Sequence, residues 1–175
     1  MGTKRVGWAR IRSLINENGN AIQRKYETIT AVSSVTELTA ADSGETIWLD
    51  GSTGFNLTLP AAAAGLSFKI ILKDAVQDDA SMKILCASGD CFYGSVEVVS
   101  TTDHKRAVQH VDYDTGTTTV ASYDVFTMDS NAASSGGASG DVITLTAVDA
   151  TAWHVDCRLV TTDAAPASIA VIAAS

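Results

Sequence analysis

Gly54-Phe55-Asn56-Leu57-Thr58-Leu59-Pro60 is the run that decides the fold class. Phe55, Leu57 and Leu59 fall on one side of an extended chain and Asn56 and Thr58 on the other, the two-residue period of a strand half in a core. Pro60 has no N–H for a ladder and closes the strand. The same texture continues on both sides. Ile29–Leu38 and Thr46–Leu49 read as strands before it. Ser67–Leu72, Met82–Cys86, Cys91–Val99, Arg106–Val111, Thr117–Thr127, Asp141–Ala147 and Trp153–Val160 read as strands after it, with Ile169–Ile172 as a last strand or a tail. Clusters of Asp, Gly and Ser separate them: Asp42-Ser43-Gly44, Asp50-Gly51 and Ala87-Ser88-Gly89-Asp90 are turn chemistry, expected to close hairpins. Short strands at this spacing with no helix between them predict an all-β body, an antiparallel β-sandwich or jelly roll. Trp48 and Phe55 are expected to anchor its core. Ser130–Gly140, almost all Ser, Ala and Gly, is expected to be a mobile loop.

The first 25 residues do not share this texture. Lys4, Arg5, Arg10, Arg12, Arg24 and Lys25 stand there against one acid, Glu17, for a net charge of +5. The remainder carries six bases against nineteen acids, a net charge of −13. Trp8, Ile11, Leu14 and Ile15 recur at three- and four-residue spacing, so residues 4–17 predict a short amphipathic helix. Asn18-Gly19-Asn20 ends it. The chain therefore divides into a basic helical arm, residues 1–28, and a β body, residues 29–175. A basic arm on an acidic body is the charge pattern of an adapter that docks on an acidic surface. Lys4, Arg5, Arg10 and Arg12 are the candidate charge contacts, and Trp8, Ile11, Leu14 and Ile15 the candidate buried anchors. Nucleic acid is a poor partner, because the acidic body would be repelled by it. A membrane is a poor one too, because the apolar stripe is short and narrow. Arg10, Arg12, Asn16 and Glu17 interrupt any apolar run near the start, so no secretory leader is expected.

Three stretches carry a resemblance. Leu38-Thr39-Ala40-Ala41-Asp42-Ser43-Gly44-Glu45-Thr46-Ile47-Trp48-Leu49, followed by Gly54–Ala61 and Gly65-Leu66-Ser67-Phe68, resembles a β module of tailed-phage structural proteins. Gly140-Asp141-Val142-Ile143-Thr144-Leu145 and Trp153-His154-Val155 resemble the end of that module. The opening Met1–Gly7 resembles the start of small virion proteins of marine and cyanobacterial phages. The resemblance implies a virion structural protein: a capsid decoration (cement) protein on the outer head shell, made in the host cytoplasm. It would hold the major capsid protein against internal DNA pressure, as a homo-oligomer and specifically a trimer. A tail, neck or fibre module is the alternative within virions.

Chemistry has weaker candidates. His104, His110 and His154 are isolated in sequence; His110 with Asp112, and His154 with Asp156, each place an imidazole and a carboxylate on one strand face. Neither pair nominates a third metal ligand. Asp74, Asp78 and Asp79 form an acidic loop without the oxygen spacing of a calcium loop. No nucleophile elbow and no phosphate loop occurs. No catalytic residue, metal or cofactor is expected, and the chain reads as a non-enzyme. The three cysteines, Cys86, Cys91 and Cys157, are expected to be reduced, although Cys86 and Cys91 flank one turn and a bridge across it is conceivable. A carbohydrate-binding sandwich is the reading from another class, with Trp48, Trp153, Tyr93, Tyr113 and Tyr123 as stacking candidates.

Overall fold

Phe55, Leu57 and Leu59 are all buried, and the strand they predict is one of eleven among the described residues of a computed structural model of the chain. The structure describes residues 36–50, 54–76, 82–112, 123–129, 135–162 and 171–173. The expected basic arm, residues 1–28, lies outside them, as do residues 29–35 of the strand expected over Ile29–Leu38. In chain order the strands are β1 (Thr36–Glu37), β2 (Thr46–Asp50), β3 (Asn56–Thr58), β4 (Ser67–Asp74), β5 (Met82–Leu85), β6 (Cys91–Ser100), β7 (Arg106–Val111), β8 (Val125–Met128), β9 (Val142–Ala147), β10 (Ala152–Thr161) and β11 (Ile172–Ala173). One sheet has the order β1-β3-β5-β8-β11 and the other β2-β4-β9-β10-β6-β7. Their inner faces share one core, in which Ile47, Phe68, Ile70, Phe92, Val96, Ile143 and Trp153 of the six-stranded sheet join Leu57, Met82, Ile84, Phe126 and Ile172 of the five-stranded one. Phe92 and Phe126 meet edge to face across the gap at 6.3 Å. The all-β sandwich is thus as the alternation predicts.

The pairing within the sheets is mixed and not uniformly antiparallel. β1 with β3, β3 with β5, β2 with β4, and β6 with β10 run parallel. The cause lies in the turns. Thr39–Asp42 forms a capped 3₁₀ turn, with the Asp42 carboxylate accepting from the Thr39 N–H at 2.8 Å. It carries the chain from one sheet to the other rather than closing a hairpin. The turn at 87–90 does the same between β5 and β6. From β1 to β6 every connection crosses the sandwich, so the chain winds as a flattened coil. The crossover between two parallel neighbours, normally a helix, is here a strand of the facing sheet. Adjacent hairpins occur only later among the described strands, at β6–β7, closed by Ser100 N–H to Lys105 C=O, and at β9–β10, closed by Val148 N–H to Ala152 C=O. The β9–β10 hairpin inserts between β4 and β6.

Two further expectations change. Trp48 is 42% exposed, because Ile47 and Leu49 take the core positions of β2 and alternation turns Trp48 outward. Residues 135–140 are not a free loop. Ser135, Gly136 and Gly137 are buried, Asp129 and Gly136 form a bridge, and the Gly137 N–H donates to Val160 C=O. A Cβ on Gly136 would lie 2.8 Å from that of Leu159, so the small residues of this stretch fit a tight passage along β10.

Candidate functional site

Lys4, Arg5, Trp8, Arg10, Ile11, Arg12, Leu14 and Ile15, the residues the sequence nominates for docking, all lie outside the described residues. Within the described residues, polar and charged side chains gather on the outer face of the six-stranded sheet. Strand alternation selects them. In β6 the core takes Phe92, Val96 and Val98, leaving Tyr93, Ser95 and Glu97 outward. In β10 the core takes Trp153, Val155 and Leu159, leaving His154, Asp156 and Arg158 outward. β7 adds Arg106, Val108 and His110. Register then sets neighbours: Asp156 beside Ser95, Arg158 beside Glu97, His110 opposite Ser95 and Val108 opposite Glu97. Ser95, Glu97, Val108, Val142, Asp156 and Arg158 line a shallow open groove.

Two polar groupings occupy this face. Glu97 pairs through one carboxylate oxygen with Arg106 at 3.2 Å and through the other with Arg158 at 3.7 Å. Ser95 Oγ lies 2.9 Å from His110 Nδ1, and His110 Nε2 lies 3.0 Å from Asp112 Oδ1. With the ring proton on Nε2, the imidazole donates to Asp112 and accepts from the Ser95 hydroxyl. The His110–Asp112 pair foreseen from the two-residue spacing is therefore made. The order serine, imidazole, carboxylate is that of a nucleophile and its base. In such a site the carboxylate is shielded from water. Here the Asp112 side chain is 90% exposed, so solvent screens its field. As arranged, the trio is a row of hydrogen-bonding groups suited to polar recognition. His154 does not take up Asp156; it meets Tyr93 edge on, with ring centres 5.1 Å apart.

The remaining candidates separate by burial. Trp153 is fully buried against Phe68, with its Nε1 donor unmatched, so it cannot stack on a sugar. Trp48 and Tyr123 remain at the surface, and Tyr113 lies outside the described residues. All three cysteines are free thiols. Burial pushes the Cys91 thiol up to about 11 and those of Cys86 and Cys157 well above their ordinary range, so the thiolate is disfavoured at each. Asp78 and Asp79 lie outside the described residues. Among those described, no three His, Cys, Asp or Glu side chains form a metal-sized cluster.

Sequence reasoning missed Ser95, Glu97, Arg106 and Arg158. Their outward parity is legible from the alternation of Cys91–Val99, Arg106–Val111 and Trp153–Val160. The proximity of Arg158 to Ser95 and Glu97 is not, because β6 and β10 pair across about sixty residues of chain. No protein-family model matches this chain, and no curated protein or solved structure matches it.

Proposed function

We propose that this chain is a capsid decoration (cement) protein of a tailed phage, binding the outer head shell through its basic arm and stabilising it against internal DNA pressure. The observation that carries this reading is the division of charge, +5 on residues 1–25 and −13 on the rest. An acidic sandwich stays soluble on the particle surface while the arm seeks acidic ground. The phage-module resemblance of residues 38–68 adds to it; the stretch includes β2, β3 and the start of β4. The mechanism is mechanical: Trp8, Ile11, Leu14 and Ile15 bury in the shell, Lys4, Arg5, Arg10 and Arg12 pair with its acids, and many copies bind at once. The major capsid protein is the partner, and no catalytic step or cofactor is involved.

The test uses the full chain carrying Trp8→Ala together with Arg5→Glu, Arg10→Glu and Arg12→Glu. Binding to empty heads should weaken by roughly a hundredfold or more, given about 1 kcal/mol for each lost anchor or charge. Wild-type binding should also weaken as salt is raised. Unchanged head binding by the variant would defeat the arm reading. Density confined to the tail axis in cryo-electron microscopy of the virion would select the tail, neck or fibre alternative. The exposed Trp48 and Tyr123 keep a carbohydrate-binding reading in view. Glycan binding by a chain absent from the particle would favour it.

A further inference from the structure

The two edges of the six-stranded sheet differ in how they are protected. β2 has a register break between Leu49 and Asp50. A bulge is a standard way to stop a sheet from growing. β7, the opposite edge, has no such break. It runs six residues, Arg106 to Val111, in unbroken register with β6 and contains no proline. Val108, at its middle, is 62% exposed. The Ser100 N–H to Lys105 C=O bond sets the phase of the β6–β7 ladder. Ala107, Gln109 and Val111 therefore turn their backbone groups to β6, and Arg106, Val108 and His110 turn theirs away. Among the described residues nothing hydrogen-bonds to that outer row.

We propose that this edge pairs antiparallel with the same edge of a second copy, about a two-fold axis at Gln109. Charge selects that register. It places Arg106 opposite the second copy's Asp112 and, by symmetry, Asp112 opposite its Arg106, with Val108 opposite His110 at both ends. Centring on Val108 instead would set Arg106 against His110 and leave both arginines uncompensated across the joint. The Arg106 side chain is 74% exposed and that of Asp112 90%, so both are placed to meet a partner. Arg106 keeps its bond to Glu97 and Asp112 its bond to His110, so each new contact extends a network already formed. The contact is isologous and closes at two copies. It joins two six-stranded sheets into one and covers Val108. This inference goes beyond capsid decoration and holds whether or not the chain binds a head. It replaces the trimer implied by the phage resemblance with a two-fold dimer.

Sedimentation equilibrium of the full chain over a wide range of concentration tests it. The wild type should dimerise. Arg106→Asp and Asp112→Arg should each weaken the dimer by roughly tenfold or more, since like charges then face each other twice, and the double exchange should restore it. Val108→Lys changes an exposed side chain and leaves the core alone, so it should give a folded monomer. A wild type that stays monomeric, one that forms a trimer, or a dimer indifferent to Val108→Lys and to both charge reversals would overturn the proposal.

Discussion

Gly94 sits inside β6 with φ +124, and a Cβ there would lie 2.2 Å from the Val155 carbonyl oxygen of β10. Backbone, not a flexible side chain, occupies the space, so Gly94→Ala must separate the parallel β6–β10 pair or strain both strands. We expect a loss of about 3 kcal/mol or more in urea unfolding, the sum of overpacking and left-handed strain. Gly89 is the control: its φ is +93, but no atom lies within 4 Å of its added Cβ. Gly89→Ala should cost about 1–2 kcal/mol from conformation alone. Asp141 makes a second residue-scale prediction. Its Oδ2 accepts from the Ala138 N–H at 2.9 Å and the Val160 N–H at 2.8 Å, holding residues 138–141 against β10. Burial raises its carboxyl from 3.8 to about 6, outweighing those bonds and the nearby Arg158. The folded state therefore holds the proton more tightly than the unfolded chain. The sign follows: the stabilisation is full below about pH 4 and is lost as pH rises through about 6, by on the order of 3 kcal/mol. Asp141→Asn keeps an acceptor and removes the titration. The stability of wild type relative to the variant should fall between pH 4 and pH 7, and a flat difference would show that burial does not control this group.

At the scale of elements, one side chain joins the two sheets along an edge. Gln109 of β7 accepts at Oε1 from the Val171 and Ile172 N–H groups, both at 2.9 Å, and donates through Nε2 to the Ile172 carbonyl at 2.7 Å. It acts as a short piece of β-ladder between β7 and β11, which belong to different sheets. The described residues of β11, Ile172–Ala173, are held by this link as well as by β8. Gln109→Ala leaves three backbone groups unmatched at a buried site, since Val171 and Ile172 are at most 2% exposed. We expect a loss of about 2–3 kcal/mol. Amide exchange should accelerate at Val171 and Ile172 before the centre of β10 responds. Nothing in the spelling of Arg106–Val111 marks Gln109 for this task; an amide on the inner face of an edge strand reads as an unremarkable polar residue. The strands themselves are a different case. Phe55, Leu57 and Leu59, or Ile143, Leu145 and Ala147, declare their face because two-residue alternation is local and water enforces it. The same rule places Trp48 outward between Ile47 and Leu49, and expecting a core anchor there gave more weight to residue size than to position.

At the scale of the molecule, the turns were legible as turns but not as crossings between sheets. Asp42-Ser43-Gly44 and Ala87-Ser88-Gly89-Asp90 have the residues of tight reversals, yet each leads to the facing sheet. Parallel neighbours then stand at unequal intervals along the chain, Thr36 beside Leu57, Leu57 beside Ile84 and Ile47 beside Ile70, so no repeat announces the winding. The sequence by itself determined the all-β class, the inward face of most strands and the division of charge between residues 1–25 and the rest, because alternation, turn chemistry and net charge are properties of neighbouring residues. Only the tertiary structure decided which strands pair, that four pairings run parallel, that residues 135–141 pack along β10, and that Ser95, Glu97, Arg106, His110 and Arg158 share one face. Those outcomes depend on burying both sheets' apolar faces at once, a condition set by contacts between segments far apart in the chain.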